Sequence, residues 1–263
     1  MAERAALPPR FARPSPLGFL AWVVAAGAIG FALRGADVSP AAFVEGLPQM
    51  ARLIGEMMPP SLVRVEALVG VLAETLAMAL AGAAIGIVIS LALCFPASGR
   101  WAAGRAAYGA SRLVIALFRT VPDLVWAVFF VATVGLGPFA GVLTIVVDTI
   151  GFCGRFFAES IEETDPGPRE ALTEAGAGSA AVFLAAALPA ALPSFINTSL
   201  FAFEKAVRSS VVLGLVGAGG IGIELEVAMD LFRYDEAATI IIGIFVLVMA
   251  IEQLSAAIRR RVI

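Results

Sequence analysis

Read from its N-terminus, the chain alternates long apolar runs with short polar interruptions, and six of the runs approach the roughly twenty residues a helix needs to cross a bilayer. They lie near 17–34, 67–95, 113–134, 138–158, 191–215 and 237–257. The pattern predicts an all-α polytopic membrane helix bundle of about six transmembrane helices. Arg4, Arg10 and Arg13 precede the first run as they would in a secretion signal. However, Leu17 to Leu33 outlasts the usual apolar core of about 7–15 residues, so an uncleaved anchor is expected. Residues 38–66 are too polar to cross. Phe43, Leu47, Met50, Leu53, Ile54 and Met57 recur there at three- and four-residue spacings that suit an amphipathic helix on the outer surface, whereas Pro40, Pro48, Pro59 and Pro60 suit a plain connection. The expected organisation is an anchor with its surface segment over 1–66 and a single helical core over 67–263, without internal repeats.

Between the fourth and fifth runs the chain turns polar and carries Glu170-Ala171-Leu172-Thr173-Glu174-Ala175-Gly176. Asp165 can cap a helix there, Pro166 suits its first turn, and Gly176 suits a left-handed exit. A second helix starts near Ser179 and is expected to stop before Pro193. The segment 165–189 thus reads as two short helices around a glycine turn, a handle on the membrane surface.

Ionisable groups inside the runs cost about 2.5–3.5 kcal/mol each on insertion scales, which makes them functional candidates. In the fifth run Asn197, Thr198, Glu204, Lys205, Arg208 and Ser209 fall within an arc of about 140° on a helical wheel, leaving Leu200, Phe203, Ala206, Val207 and Val211 opposite. Glu204 and Arg208 stand four apart, the favourable order for a pair along one helix, which leaves Lys205 with free positive character. Such a face either lines a path for an anionic solute or forms a polar seam between subunits. In the third run Arg119-Thr120-Val121-Pro122-Asp123 places a proline near mid-span, where it kinks or breaks the helix, and Arg119 can reach Asp123. Glu74, Asp148 and Glu252 are isolated in apolar sequence and take no individual role.

Composition agrees with a bilayer protein: 60% of residues are hydrophobic, 15% are charged, and the mean hydropathy is +0.95. A net charge of -3 gives no sign of a nucleic-acid partner. His is absent, and Cys94 and Cys153 both lie inside apolar runs, so no catalytic residue, no metal site and no cofactor bound by this chain is expected. Arginines concentrate on one side: Arg4, Arg10, Arg13, Arg100, Arg105, Arg112, Arg155, Arg169 and Arg259 to Arg261 against Arg34, Arg52, Arg64 and Arg233. The positive-inside rule then puts both termini and the 165–189 handle in the cytoplasm. Gly217, Gly219, Gly220 and Gly222 match a dinucleotide fingerprint in spacing only, since they trail a membrane run, and a loop with positive backbone angles or close helix approach near the outer mouth is expected instead. No phosphate-binding loop of the Gly-x-x-x-x-Gly-Lys type occurs, so any ATP must be bound by another subunit.

These residues resemble the membrane permeases of ATP-binding-cassette importers. That family's cytoplasmic signature is Glu-Ala-Ala, three residues, Gly, nine residues, Ile, one residue, Leu-Pro; here it reads Glu170, Ala171, Leu172, Gly176, Ala186, Leu188 and Pro189, with Leu172 and Ala186 replacing Ala and Ile. Arg119 to Ala127, Val134 to Leu143 and Phe203 to Gly222 are similar to phosphonate-importer permeases, and the likeness spans roughly 67–258. The resemblance implies the MetI-like fold of type I importers and an inner-membrane location. It also implies a second permease copy or close relative, two ATPase subunits that bind ATP and Mg, an extracytoplasmic solute-binding protein and a phosphonate-like anion as solute. Glu170, Ala171, Leu172, Gly176, Leu188 and Pro189 would dock the ATPase. Phosphate, phosphite or an amino acid as solute, or an ion-coupled secondary transporter, are the alternatives.

Overall fold

In the computed structural model, residues 15–99, 101–102 and 104–262 are described. Arg4, Arg10, Arg13 and Arg100, which enter the arginine count, lie outside the described residues. Two compact units emerge, 1–55 and 56–263. In the first, α1 (Pro16–Gly35) begins where the Ser15 hydroxyl accepts from the Gly18 amide at 3.1 Å, with Pro16 in its first turn. The helical reading of the next segment is the one observed: α2 (Pro40–Glu56) continues through Pro48.

The second unit is built from α3 (Val65–Ala97), α4 (Arg105–Thr120), α5 (Asp123–Val134), α6 (Pro138–Glu162), α7 (Pro166–Glu174), α8 (Ser179–Val182), α9 (Leu188–Gly214), α10 (Ile221–Asp230) and α11 (Tyr234–Val262). Among the described residues five helical segments are long and apolar enough to cross a membrane: α1, α3, α6, Ser179–Gly214 and α11. The pair α4 and α5 makes a sixth if counted as one broken span, for it bends by 92° at Val121-Pro122. Pro122 has no N–H to continue the ladder of α4, and its φ of -57° and ψ of 144° turn the chain outward before α5 begins.

Small residues set the centre of the bundle. Hydrocarbon tails are as apolar as Leu, so helices in a bilayer associate through close contact rather than expulsion from water. Gly82 and Gly86 on α3 give that contact: a Cβ at Gly82 would stand 2.6 Å from Ile145 Cγ2 of α6, and one at Gly86 2.5 Å from Thr149 Cβ. Ser90 stays satisfied by donating to the Gly86 carbonyl at 2.7 Å. Between α6 and α4, Gly151 does the same work, since a Cβ there would meet the Arg119 amide nitrogen at 2.8 Å. These contacts fix the Pro122 break at the middle of α6.

One expectation fails. The helix opening at Ser179 does not stop before Pro193; it runs on as a single helical segment from Ser179 to Gly214, through both Pro189 and Pro193. Pro193 is carried inside α9, as prolines are in membrane helices, and ahead of Pro189 the helix widens into a π turn over Phe183–Ala187, in which the Leu188 amide bonds to the Phe183 carbonyl five residues back. The widened turn takes up the disruption at Pro189, the second residue of α9, where a missing N–H is tolerated.

Candidate functional site

At one end of the bundle, α7 and α8 form the surface handle that the sequence predicts. The Asp165 carboxylate accepts from the Gly167 amide at 2.9 Å, and Pro166 occupies the first turn. The helix exits through Gly176 at φ +86°, and the Ala177 amide closes back onto the Leu172 carbonyl at 3.0 Å. This is the reciprocal capping expected of a left-handed glycine stop. Leu172, Ala177, Phe183 and Leu188 pack on a buried cluster that includes Trp101, Phe157 and Val182. Glu170, Ala171, Gly176 and Pro189 remain exposed. The motif therefore divides into an anchoring side, Leu172 and Leu188, and a presented side, Glu170, Ala171 and Gly176. A cavity of about 510 Å³ lies beside the presented side, lined by Trp101, Arg169, Glu170, Thr173, Glu174 and Ser179 among others.

The polar arc of α9 is present, yet its pairings differ from the expected ones. Glu204 does not pair with Arg208. Glu204 is buried and bound to Arg259 of α11, while Arg208 meets Glu252 of α11 at 2.5 Å. Nor does Lys205 keep free positive character: its Nζ donates to both Asp148 oxygens of α6, at 2.7 and 2.9 Å, and lies 5.5 Å from the centre of the Phe152 ring. The cause is geometric. Along one helix a 4-residue pair must share exposed space, whereas partners on neighbouring helices also shield each other from lipid and hold the bundle together. Arg119 and Asp123 are likewise apart, because the chain turns between them. The Asp123 carboxylate instead accepts from Ser209 of α9 at 3.1 Å and from the Leu124 amide at 2.9 Å.

The arc is thus a ridge with two tied flanks. Asn197 and Arg208 lie exposed along its centre with Phe201, Val212 and Leu215. Lys205 and Ser209 tie one flank to α6 and α5, and Glu204 ties the other to α11. Ala206 and Val207 are buried opposite, as the helical wheel predicts, and Thr198 is half-buried. Asp148, Glu252 and Arg259 are the residues sequence reasoning left without a role. The signal that finds them is charge balance, since each cation of an apolar run needs an acid on another run.

The glycine loop has the backbone the spacing predicts, with φ of +80°, +89° and +79° at Gly217, Gly219 and Gly220. Its amides and carbonyls are used in packing: Gly137 N–H bonds to the Gly217 carbonyl at 2.9 Å, and the Ile221 amide bonds to Thr75 of α3 at 2.8 Å. A side chain at Gly219 would meet the Pro138 backbone at 2.7 Å, and one at Gly222 the Gly214 Cα at the same distance. Thr120 and Arg119 do not reach α9; they line a separate cavity between α4 and α6.

Residues 95–263, which include the handle, the polar ridge and the glycine loop, match the family described as binding-protein-dependent transport system inner membrane component. The chain belongs to this family. The permease is 39% identical to the phosphite transport system permease protein of Stutzerimonas stutzeri, over 82% of its own length and 79% of that protein. It is 41% identical to the phosphate-import permease protein of Mycolicibacterium smegmatis, over 73% of its own length but only 36% of that longer chain. Its fold is similar to a solved chain of the inward-facing MetNI methionine ABC transporter, with TM-score 0.67 and 25% identity, covering 77% of the permease and 99% of that chain. The permease is accordingly a multi-pass membrane component of an ABC importer, a transport subunit whose ATP hydrolysis belongs to a separate subunit. Among the described residues no group of three His, Cys, Asp or Glu is placed to hold a metal.

Proposed function

We propose that this permease carries an oxyanion of phosphorus (phosphite, phosphate or a phosphonate) inward across the membrane, with α9 along the route and the α7–α8 handle gripped by an ATPase. The observation that carries the reading is the α9 ridge, an exposed polar stripe at membrane depth with Arg208 along its centre and Lys205 on one flank, each held in place by a carboxylate of a neighbouring helix. The printed functions of the two relatives support phosphite and phosphate as solutes at least as well as phosphonate. Two permeases, identical or related, face each other across the path, and an extracytoplasmic binding protein delivers the solute at the glycine-loop end. Both termini and the handle are cytoplasmic in this reading, which the arginine distribution supports. Closure of the nucleotide-loaded ATPase pair then drives the handle, and the permeases alternate between inward-open and outward-open states as rigid bodies.

The test is uptake by the permease reconstituted with its co-encoded ATPase and binding protein, using labelled phosphite, phosphate, methylphosphonate and methionine. ATP-dependent uptake of at least one phosphorus oxyanion and none of methionine is expected. Uptake of methionine alone, or oxyanion flux that persists without the ATPase, would refute the proposal.

A further inference from the structure

A second cluster of cations lies away from α9. A cavity of about 490 Å³ opens between α4 and α6, lined by Arg112, Ile115, Ala116, Arg119, Thr120, Arg155 and Glu159. Its arginines are not equivalent. Arg155 Nε is bound to Glu159 at 2.6 Å, and Arg112 is bound to Glu162 at 2.8 Å and to the Ala97 carbonyl at 2.7 Å. Arg119 is exposed to the cavity, with no carboxylate within salt-bridge distance among the described residues. Three guanidinium groups and two carboxylates leave one positive charge in excess, and it sits on Arg119.

Depth makes that charge informative. The Arg119 backbone touches Gly151, near the midpoint of α6, so at 1.5 Å per residue it lies about 16 Å from the end of α6 at Glu162. An arginine side chain does not span that distance to reach the headgroups on its own. An unpaired cation held at such depth needs a wet cavity and a counter-ion. Arg155 and then Arg112 follow at successively lower levels toward the handle, each already partnered, so the three form a ladder with its vacant rung at the top. Guanidinium is also the side chain whose planar fork fits two oxygens of a tetrahedral anion.

We infer that the cavity between α4 and α6 is an anion site for a phosphorus oxyanion held by Arg119, distinct from the Lys205 flank of α9. The inference deepens the proposed transport function and rests on it for the identity of the anion. The same chemistry is offered by the phosphate of an anionic lipid headgroup, so the experiment has two arms. Full-length permease in nanodiscs of phosphatidylcholine alone is titrated with labelled inorganic phosphate, with phosphite as competitor. Parallel nanodiscs containing phosphatidylglycerol are analysed by native mass spectrometry for retained anionic lipid.

Arg119→Gln is expected to weaken phosphate binding at least about tenfold, Arg119→Lys, which keeps the charge and loses the fork, to weaken it less, and Arg105→Gln, outside the cavity, to leave it unchanged. Loss of phosphatidylglycerol retention in Arg119→Gln, without phosphate binding by the wild type, assigns the site to a headgroup and still supports it as an oxyanion site. Unchanged phosphate binding and unchanged lipid retention in Arg119→Gln would overturn the inference. So would an equal loss in Arg105→Gln, since the effect would then not belong to the cavity. Import of an uncharged solute by the assembled wild type would instead strike the functional reading, and it is measured separately.

Discussion

Replacing Lys205 with Met leaves Asp148 charged among apolar neighbours on α6, and replacing Asp148 with Asn does the reverse to Lys205. Removing one member of a fully buried pair costs about 3–5 kcal/mol because the survivor is stranded. Here the lysine side chain is 35% exposed and the aspartate 21%, so water reaches both and the cost falls to about 1–3 kcal/mol for each single variant. The double variant strands nothing. Its loss is expected to be smaller than the sum of the singles by at least about 1 kcal/mol, the signature of direct coupling. Equilibrium unfolding in mixed micelles by sodium dodecyl sulfate, followed by tryptophan fluorescence, reads all four proteins of the cycle. Additivity to within about 0.5 kcal/mol would show that the pair does not bind α9 to α6, and the account of the tied flank would fall with it.

Three further outcomes follow from the same geometry. Gly176→Asp, which forces a side chain into φ +86°, and Glu170→Lys, which reverses charge on the presented side of the handle, should each abolish ATP-driven uptake while membrane abundance stays at the wild-type level; normal transport by either at equal abundance would refute docking at α7. Gly151→Ala should lose about 1–3 kcal/mol, because its Cβ meets Arg119 backbone at 2.8 Å, whereas Gly109→Ala on α4, with nothing within 4 Å, should be neutral or gain up to about 1 kcal/mol; equal melting temperatures for the two would count against the α4–α6 contact. Gly222→Ala should be more disruptive than either, since its side chain would run into the Val211 carbonyl, and the loss is checked by recovery of monodisperse protein after extraction.

Much of this architecture was legible from periodicity and punctuation. Apolar runs located every long helix, Pro122 announced the break, and Asp165, Pro166 and Gly176 wrote the handle in local capping chemistry that depends on only a few neighbours. The polar arc of α9 was legible too, as was the strained backbone at Gly217, Gly219 and Gly220. Charge partners were not. Spacing along one helix suggested Glu204 with Arg208 and Arg119 with Asp123, but the choice among acids depends on which helices adjoin, and only tertiary packing brings Asp148, Glu252 and Arg259 to α9. The stop at Pro193 failed for a related reason. Proline reads as a terminator in water-soluble helices, yet α9 continues through Pro193, and nothing in local propensity marks Phe183–Ala187 for the wide turn that adjoins it.

That π turn has a mechanical consequence. Because α8, the wide turn and α9 form one unbroken rod of 36 residues, torque applied near Ser179 has no loop in which to dissipate before it reaches Lys205 and Arg208. An extra residue in the turn retards the angular phase of everything beyond it by about 100°, so the face presented at Ser179 and the face presented at Lys205 and Arg208 are set independently of one another. One inserted backbone unit therefore works as an indexing collar between the handle and the ridge.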